Sequence, residues 1–178
     1  MITSFLAMEA GVAIERSDLL HRLDELARTD KLTGLHNRRA FDELLERELA
    51  RAARTGDPLA LALLDLDRFK AYNDAHGHQG GDELLSLAAS SWKQCLRDVD
   101  VLARWGGEEF VALLPNATPP DTVEVVVDRL RAATPLGQTC SAGVAVWDGS
   151  ETAAELVRRA DAALYEAKER GRDRTVVA

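Results

Sequence analysis

The chain has 178 residues, of which 46% are hydrophobic, so it can bury one substantial core. Its formal net charge is −8 at pH 7, which argues against a protein that binds a nucleic-acid polymer, because affinity for the phosphate backbone requires a basic surface. Two cysteines are too few for a disulfide framework, and the sequence shows neither a signal peptide nor an apolar run of membrane-spanning length. We therefore expect a cytoplasmic protein with no membrane segment in this chain.

Residues 1–28 are predicted to form one helix. Apolar residues recur along it at seven-residue spacing, at Phe5, Val12, Leu19 and Leu26. This spacing is typical of a coiled-coil seam, which would make the protein a homodimer. Charged residues occupy part of the second seam row, so a single amphipathic helix packed on another part of the protein is an equal alternative.

The rest of the chain mixes helical and extended patterns. The predicted helices are residues 38–54, a short helix containing Phe69 and Lys70, and residues 80–96, 119–133 and 152–170. The predicted strands are residues 59–66, 101–104, 110–114, 138–147 and 174–177. Two of these strands face each other across Gly106 and Gly107, a pair that suits a tight hairpin. This order predicts an α/β (α+β) fold with a central mixed five-stranded sheet flanked by helices.

Two carboxylates end the first long strand. Asp65 and Asp67 follow an apolar run and lie at the strand's carboxyl end, where ligands bind in open α/β sheets. Side chains alternate along a strand, so both carboxylates share a face if the strand extends that far. Asp67 is also placed to cap the following short helix. A pair of acids that ends a strand and begins a helix without binding a ligand is the alternative interpretation.

The hairpin adds a second acidic pair. Glu108 and Glu109 follow the two glycines, whose lack of side chains lets the backbone pass close to a ligand. If the hairpin lies beside the first strand, Glu108 or Glu109 can join Asp65 around a hard divalent cation. Mg²⁺ bound to a nucleoside triphosphate is then the natural occupant of the site. The sequence contains neither a P-loop nor a G-x-G-x-x-G phosphate-binding motif.

Six stretches, in order, carry a resemblance to a known family. They are D-K-L-T-G-L-H-N-R-R at 30–39, D-L-D-R-F-K at 65–70, N-D with G-H and G-D between 73 and 82, R-D-V-D at 97–100, G-G-E-E-F at 106–110, and A-K-E-R-G-R at 167–172. With these motifs the chain resembles the GGDEF family, the diguanylate cyclases, over about residues 29–177. Asp173 departs from the family pattern, which more often has Asn after Gly-Arg.

The resemblance implies a palm-like nucleotide cyclase fold and an enzyme that condenses two GTP molecules into cyclic di-GMP and two pyrophosphates. It implies metal binding by Asp65, by the backbone carbonyl of Leu66, and by Glu108 and Glu109, with Mg²⁺ as the cofactor or Mn²⁺ in its place. Glu108 is implied as the proton acceptor, Glu109 as its assistant at a second metal, and Lys70 as the side chain that stabilises the charged transition state.

The implied substrate-binding residues are Asn73, His78, Asp82, Gly106, Gly107, Lys168 and Arg172. Among them, Asn73 and Asp82 match residues that read the guanine base, and Lys168 and Arg172 match residues that hold the terminal phosphates. A solvated basic helix end is the alternative for the two cations. His78 is as readily explained as a surface residue.

Residues 97–100 match the family's inhibitory R-x-x-D motif, which implies that cyclic di-GMP binds there as a product inhibitor. Arg97 offers a planar fork of donors, and Asp100 accepts from guanine nitrogens, so the pair suits a nucleotide that is anionic and guanine-bearing. The alternative is a local surface salt bridge, which contributes little to stability.

These assignments divide the chain into an N-terminal signalling-linker helix at 1–28 and a GGDEF domain at 29–178. Residues 6–16 also resemble the last helix of a GAF sensor domain. The function implied is that of a diguanylate cyclase active as a homodimer, with one GTP on each protomer. A catalytically silent cyclic di-GMP receptor is the alternative, but such receptors usually lose a signature acid or the metal aspartate, and this sequence retains both.

Overall fold

A mixed sheet of six strands carries the fold in a computed structural model that describes residues 28–117 and 120–178. The strands are β1 (His36–Asn37), β2 (Leu59–Leu66), β3 (Val101–Gly106), β4 (Glu109–Pro115), β5 (Cys140–Val146) and β6 (Thr175–Val177). The helices are α1 (Arg38–Thr55), α2 (Phe69–Cys95), α3 (Pro120–Ala132) and α4 (Ala153–Glu169). The strand order is β1-β3-β4-β2-β5-β6, so β2 lies inside the sheet between two antiparallel neighbours.

Helices cover both faces of the sheet, which explains why β2 has an unbroken apolar sequence. All 8 residues of β2 are buried, and successive side chains enter opposite layers of the core. Leu64 packs in the layer that contains Trp92 of α2 and Phe110 of β4, whose rings meet edge to face with centroids 5.0 Å apart. Leu63 packs in the other layer with Phe41 of α1.

The close packing of α4 on β5 depends on a glycine. A Cβ atom built on Gly143 would lie 2.1 Å from the backbone nitrogen of Leu164 and 2.2 Å from the carbonyl oxygen of Ala160. Because both neighbours are backbone atoms, neither can turn aside as a side chain would. Gly143 therefore sets the distance between α4 and the sheet, and with it the position of Lys168 near the end of α4.

The predicted α+β class is confirmed, and most predicted elements agree with the structure to within a few residues. The five-stranded sheet is wrong, because β1 adds a sixth strand that pairs in parallel with β3. A strand of two residues is too short to show an alternating pattern. The short helix containing Phe69 and Lys70 and the separate helix predicted from Gly80 are confirmed to within a few residues, because α2 is broken at Gly77, whose φ of 74° and ψ of 167° are not helical and suit glycine.

The predicted coiled-coil seam at Phe5, Val12, Leu19 and Leu26 lies outside the described residues. Among helices within residues 28–117 and 120–178, none has both the length and the apolar character needed to cross a membrane.

Candidate active site

A buried carboxylate stands at the carboxyl end of the central strand. Asp65 is 7% exposed and lies opposite Glu109 in the antiparallel pairing of β2 with β4. The ammonium nitrogen of Lys168 is 2.7 Å from Oδ2 of Asp65. Burial raises the pKa of Asp65 above its ordinary value of 3.8, Lys168 opposes this rise, and the charges of Glu108 and Glu109 add to it. The cluster thus combines three acids with one cation.

The hairpin between β3 and β4 holds the two glutamates beside that carboxylate. Glu109 is the cross-strand partner of Asp65, so the two side chains share one face of the sheet. Glu108 lies in the turn, where its backbone carbonyl accepts a hydrogen bond of 3.3 Å from the amide of Leu66. Gly107 adopts a φ of 53°, a left-handed conformation that favours glycine in this tight turn.

An arginine that the sequence analysis did not single out braces the same hairpin. Two nitrogens of the Arg104 guanidinium donate to the carbonyl of Gly107, at 3.0 and 2.8 Å. Its third nitrogen donates to both oxygens of Asp30 at 3.2 Å. Arg104 therefore fixes the turn against the loop that precedes β1. The signal available in the sequence was a cation directly before the Trp-Gly-Gly stretch, but its partner 74 residues away could not be deduced.

Asp67 is neither the cap of α2 nor a second free acid beside Asp65. The residue that precedes α2 is Arg68, and it makes no side-chain cap bond. The Asp67 carboxylate is buried and accepts from the hydroxyls of Thr139 and Ser141, both at 2.7 Å. It also accepts from the backbone amide of Asp173 at 3.1 Å. Asp67 thus connects the end of β2 to the start of β5 and to the turn after α4.

That turn carries the second predicted phosphate-binding cation. Arg172 has a left-handed backbone, with a φ of 66°, and its amide donates to the carbonyl of Ala167 at 3.0 Å. Its side chain is exposed and has no ion pair within the described part of the chain. Lys168 differs, since its partner is the Asp65 carboxylate. The structure therefore places a free guanidinium and a paired ammonium at the same end of α4.

Four of the predicted catalytic and substrate-binding residues lie along the first half of α2. Lys70 is exposed in the first turn of the helix, and His78 and Asp82 are exposed after the bend at Gly77. Asn73 is different, because its side-chain oxygen Oδ1 is buried and lacks a hydrogen-bond partner within the described residues. An unpaired buried acceptor is unfavourable unless a ligand or water completes it.

The predicted inhibitory pair forms a salt bridge away from these residues. The Arg97 side chain donates to Asp100 through two nitrogens, at 3.1 and 2.7 Å, and to the carbonyl of Pro115 at 3.0 Å. The Asp100 side chain is only 1% exposed, whereas that of Arg97 is 51% exposed. Asp100 therefore orients Arg97, and the guanidinium is the group presented to solvent. Arg129 lies near this pair, donating to the carbonyl of Cys95 at 2.7 Å.

Comparisons with known proteins identify the family of the chain. The family model described as "Diguanylate cyclase, GGDEF domain" matches residues 27–174. The chain is 48% identical over 162 residues to the diguanylate cyclase DgcP of Pseudomonas aeruginosa, a match that covers 85% of this chain and 24% of that protein. It is 40% identical over 171 residues to the diguanylate cyclase DgcM of Escherichia coli K12, a match that covers 92% of this chain and 42% of that protein. The chain thus spans less than half the length of these curated relatives.

The solved structures show the same similarity in three dimensions. The crystal structure of the coiled coil and GGDEF domain of DgcB from Caulobacter crescentus, in complex with c-di-GMP, superposes with a TM-score of 0.92 at 32% identity, covering 99% of both chains. The active GGEEF domain of a diguanylate cyclase from Vibrio cholerae superposes with a TM-score of 0.74 at 33% identity, covering 79% of this chain and 96% of that domain. From these matches and the geometry of the site, the chain belongs to the GGDEF-domain family of diguanylate cyclases.

Proposed function

We propose that the protein is a diguanylate cyclase that condenses two GTP molecules into cyclic di-GMP and two pyrophosphates. The observation that carries this proposal is the acidic cluster at the end of β2, where buried Asp65 faces Glu109 across the strand pair and Lys168 supplies the only cation that pairs with Asp65 among the described residues. We place the enzyme in the cytoplasm, where GTP is available.

The residues of this cluster fit a magnesium ion. The raised pKa of Asp65 shows that burial and the neighbouring glutamates outweigh the attraction of Lys168, so further positive charge is favoured there. Residues 28–117 and 120–178 contain no ready-made group of three or more His, Cys, Asp or Glu side chains for a metal. Mg²⁺ typically takes one or two carboxylates and completes its shell with water and substrate phosphates. Asp65, the backbone carbonyl of Leu66 and Glu108 would hold the ion, and Glu109 would assist at a second metal. Mn²⁺ could take the place of Mg²⁺.

The other predicted residues act on the nucleotide. When bound, Mg²⁺ supplies charge that lowers the pKa of the attacking 3′-hydroxyl and offsets charge on the departing pyrophosphate. Glu108 accepts the proton of that hydroxyl, and the hydroxyl oxygen forms a bond to the α-phosphorus of the second GTP as the bond to pyrophosphate breaks. Lys70 stabilises the charge of the transition state, while Lys168 and Arg172 hold the terminal phosphates.

The substrate site also includes the residues that recognise the guanine base and the open backbone of the β3–β4 hairpin. Asn73 and Asp82 read the guanine edge, and His78 lies in the same segment of α2. Gly106 and Gly107 leave open space where a side chain would stand, since a Cβ on either would meet no atom within 4 Å. The hairpin backbone is therefore accessible to a nucleotide.

Ring closure requires two GTP molecules facing each other, so we propose that the active form is a homodimer with one GTP on each protomer. Analytical ultracentrifugation of the protein with a nonhydrolysable GTP analogue tests this point. A protein that stays monomeric while turning over GTP would contradict it.

We also propose that cyclic di-GMP inhibits the enzyme at Arg97 and Asp100. A cavity of about 410 Å³ adjoins the pair and is lined by Lys93 and His36. Burial lowers the pKa of His36, and the positive charges of Arg28, Lys93 and Arg47 lower it further. The lining thus offers two cations, Lys93 and Arg97, that can meet the phosphodiester, and a carboxylate, Asp98, that can accept from guanine donors.

Incubation with GTP and Mg²⁺, followed by chromatography, tests the main proposal. We expect cyclic di-GMP to accumulate and to be absent when EDTA is added. A protein that binds cyclic di-GMP but forms none from GTP would instead be a silent receptor, the alternative function.

A further inference from the structure

The bend at Gly77 brings two parts of α2 into unusually close contact. A Cβ atom built on Gly81 would lie 1.8 Å from Oδ1 of Asn73, 2.8 Å from its Cγ and 3.1 Å from Cζ of Phe69. The Asn73 carboxamide therefore lies directly against the α-carbon of Gly81. Gly81 is itself buried, so no other side chain could occupy this space without displacing the carboxamide.

The displaced group would be an acceptor that the fold leaves unpaired. Asn73 Oδ1 is buried without a hydrogen-bond partner in the described part of the chain. Such an orphan costs about 1–3 kcal/mol unless a donor reaches it. The Watson–Crick edge of guanine carries donors at N1 and at the exocyclic N2 amine, and hypoxanthine lacks the N2 amine.

We propose that Gly81 is a specificity-determining positioning residue, whose missing side chain holds the Asn73 oxygen where it accepts from the N2 amine of guanine. This inference rests on the proposed function in one respect, the assignment of Asn73 as a reader of the base. Gly81 does not touch the nucleotide itself in this scheme, and it acts through Asn73.

The nature of the contact explains why the effect falls on the base and not on the fold. The atoms that an added methyl group would meet belong to the ends of side chains, which can rotate away. Alanine is also favoured over glycine inside a helix by about 1 kcal/mol. Glycine at this buried helical position is therefore locally unfavourable. Its presence is explained if the Asn73 carboxamide needs the space that a side chain at position 81 would fill.

The test compares affinities for GMP and IMP, measured by titration calorimetry, because neither monophosphate can be turned over. We expect Gly81→Ala to lower the preference for GMP over IMP about tenfold, a change typical of one lost base-edge hydrogen bond. The unfolding midpoint should stay within about 2 °C of the wild type or rise. In turnover, KM for GTP should rise about tenfold while kcat changes less than twofold.

Three further variants separate positioning from a merely structural role. Ser90→Ala, on the exposed surface of the same helix, should keep the wild-type preference. Asn73→Ala should lose the preference, and adding Gly81→Ala to it should change nothing more, since the two residues act as a unit.

A Gly81→Ala protein with the wild-type preference for GMP would overturn the inference, and so would additive effects in the double variant. A wild type that binds GMP and IMP equally would overturn it as well. Failure of the proposed function has a different signature, namely that the wild type forms no cyclic di-GMP although its preference for GMP is intact.

Discussion

At the scale of single residues, the site is dominated by a carboxylate that its surroundings disfavour. Asp65 is buried beside two other acids, and one ammonium group at 2.7 Å only partly compensates for this. Active sites commonly hold charge in such unfavourable positions, because the charge serves a ligand and not the stability of the fold. Glu108, Glu109 and Lys168 are poorly explained as ordinary surface residues, because all three lie around the buried Asp65 carboxylate.

This view predicts that Asp65→Asn is inactive yet no less stable than the wild type. Because the pKa of Asp65 is raised in the folded state, its ionised form lowers the free energy of unfolding at neutral pH, and this cost disappears as the pH falls below about 4. In EDTA at neutral pH, Asp65→Asn should melt at or above the temperature at which the wild type melts. The difference between the two melting temperatures should disappear in acid. Thermal unfolding followed by circular dichroism measures this.

A variant that melts clearly below the wild type at neutral pH would contradict the prediction. It would show that the ion pair with Lys168 outweighs the burial of the charge. Glu46→Gln, on the exposed surface of α1, is the control, and it should change neither the activity nor the melting temperature.

At the scale of elements, close backbone packing fixes where the cations of α4 lie. Gly143 on β5 touches the backbone of α4, and the turn after α4 is tied to buried Asp67. The sequence predicted α4 and the strand that contains β5. It did not reveal their spacing, since a glycine inside a strand has several explanations.

Gly143→Ala should therefore be severely destabilising. An added methyl group would press on backbone atoms at about 2 Å, so helix and sheet must separate, and we expect a loss of about 3 kcal/mol or more in the free energy of unfolding. Urea denaturation measures this value. Gly81→Ala is the matched comparison, because its neighbours are side-chain ends that can move. Equal stability of the two variants would show that α4 shifts freely and does not depend on Gly143.

The limits of sequence reasoning are also clearest at this scale. The apolar run of β2, the Gly-Gly hairpin and the ordered motifs predicted the sheet centre and the acidic cluster. Strand β1 was missed because two residues carry no periodicity, whereas the break within α2 was predicted at Gly80, only a few residues from its position at Gly77. The contact of Arg104 with Asp30 and the bonds of Asp67 depend on tertiary packing, which local patterns do not encode.

At the scale of the whole molecule, the proposed product site at Arg97 lies apart from the proposed catalytic edge of the sheet. The salt bridge of Arg97 with Asp100 lies in the loop between α2 and β3, the strand that leads into the signature hairpin. A ligand on Arg97 could thus restrain the hairpin or the relative pose of two protomers. Either effect would couple product binding to catalysis, and the coupling must be reciprocal between the two sites.

Arg97→Ala should relieve inhibition by cyclic di-GMP with little loss of initial rate. Removing the donor fork should weaken product binding about tenfold or more, as measured by titration calorimetry. Arg97→Lys keeps a positive charge beside the buried Asp100 carboxylate. It should nevertheless bind cyclic di-GMP weakly, because an ammonium group cannot replace the planar donor fork of arginine. Arg158→Ala, at an exposed position of α4, is the control. Unchanged product affinity in both Arg97 variants would place the inhibitory site elsewhere.

If the acidic cluster at the end of β2 condenses two GTP molecules, a single time course of both products will show it. Pyrophosphate and cyclic di-GMP are quantified together for the wild type and for Glu108→Gln, with GTP and Mg²⁺ supplied to both. We expect the wild type to release two pyrophosphates for each cyclic di-GMP, and we expect Glu108→Gln to release neither while its melting curve stays unchanged. A correctly folded Glu108→Gln protein with full activity, or a wild type that releases no pyrophosphate, would show that this cluster does not catalyse the condensation.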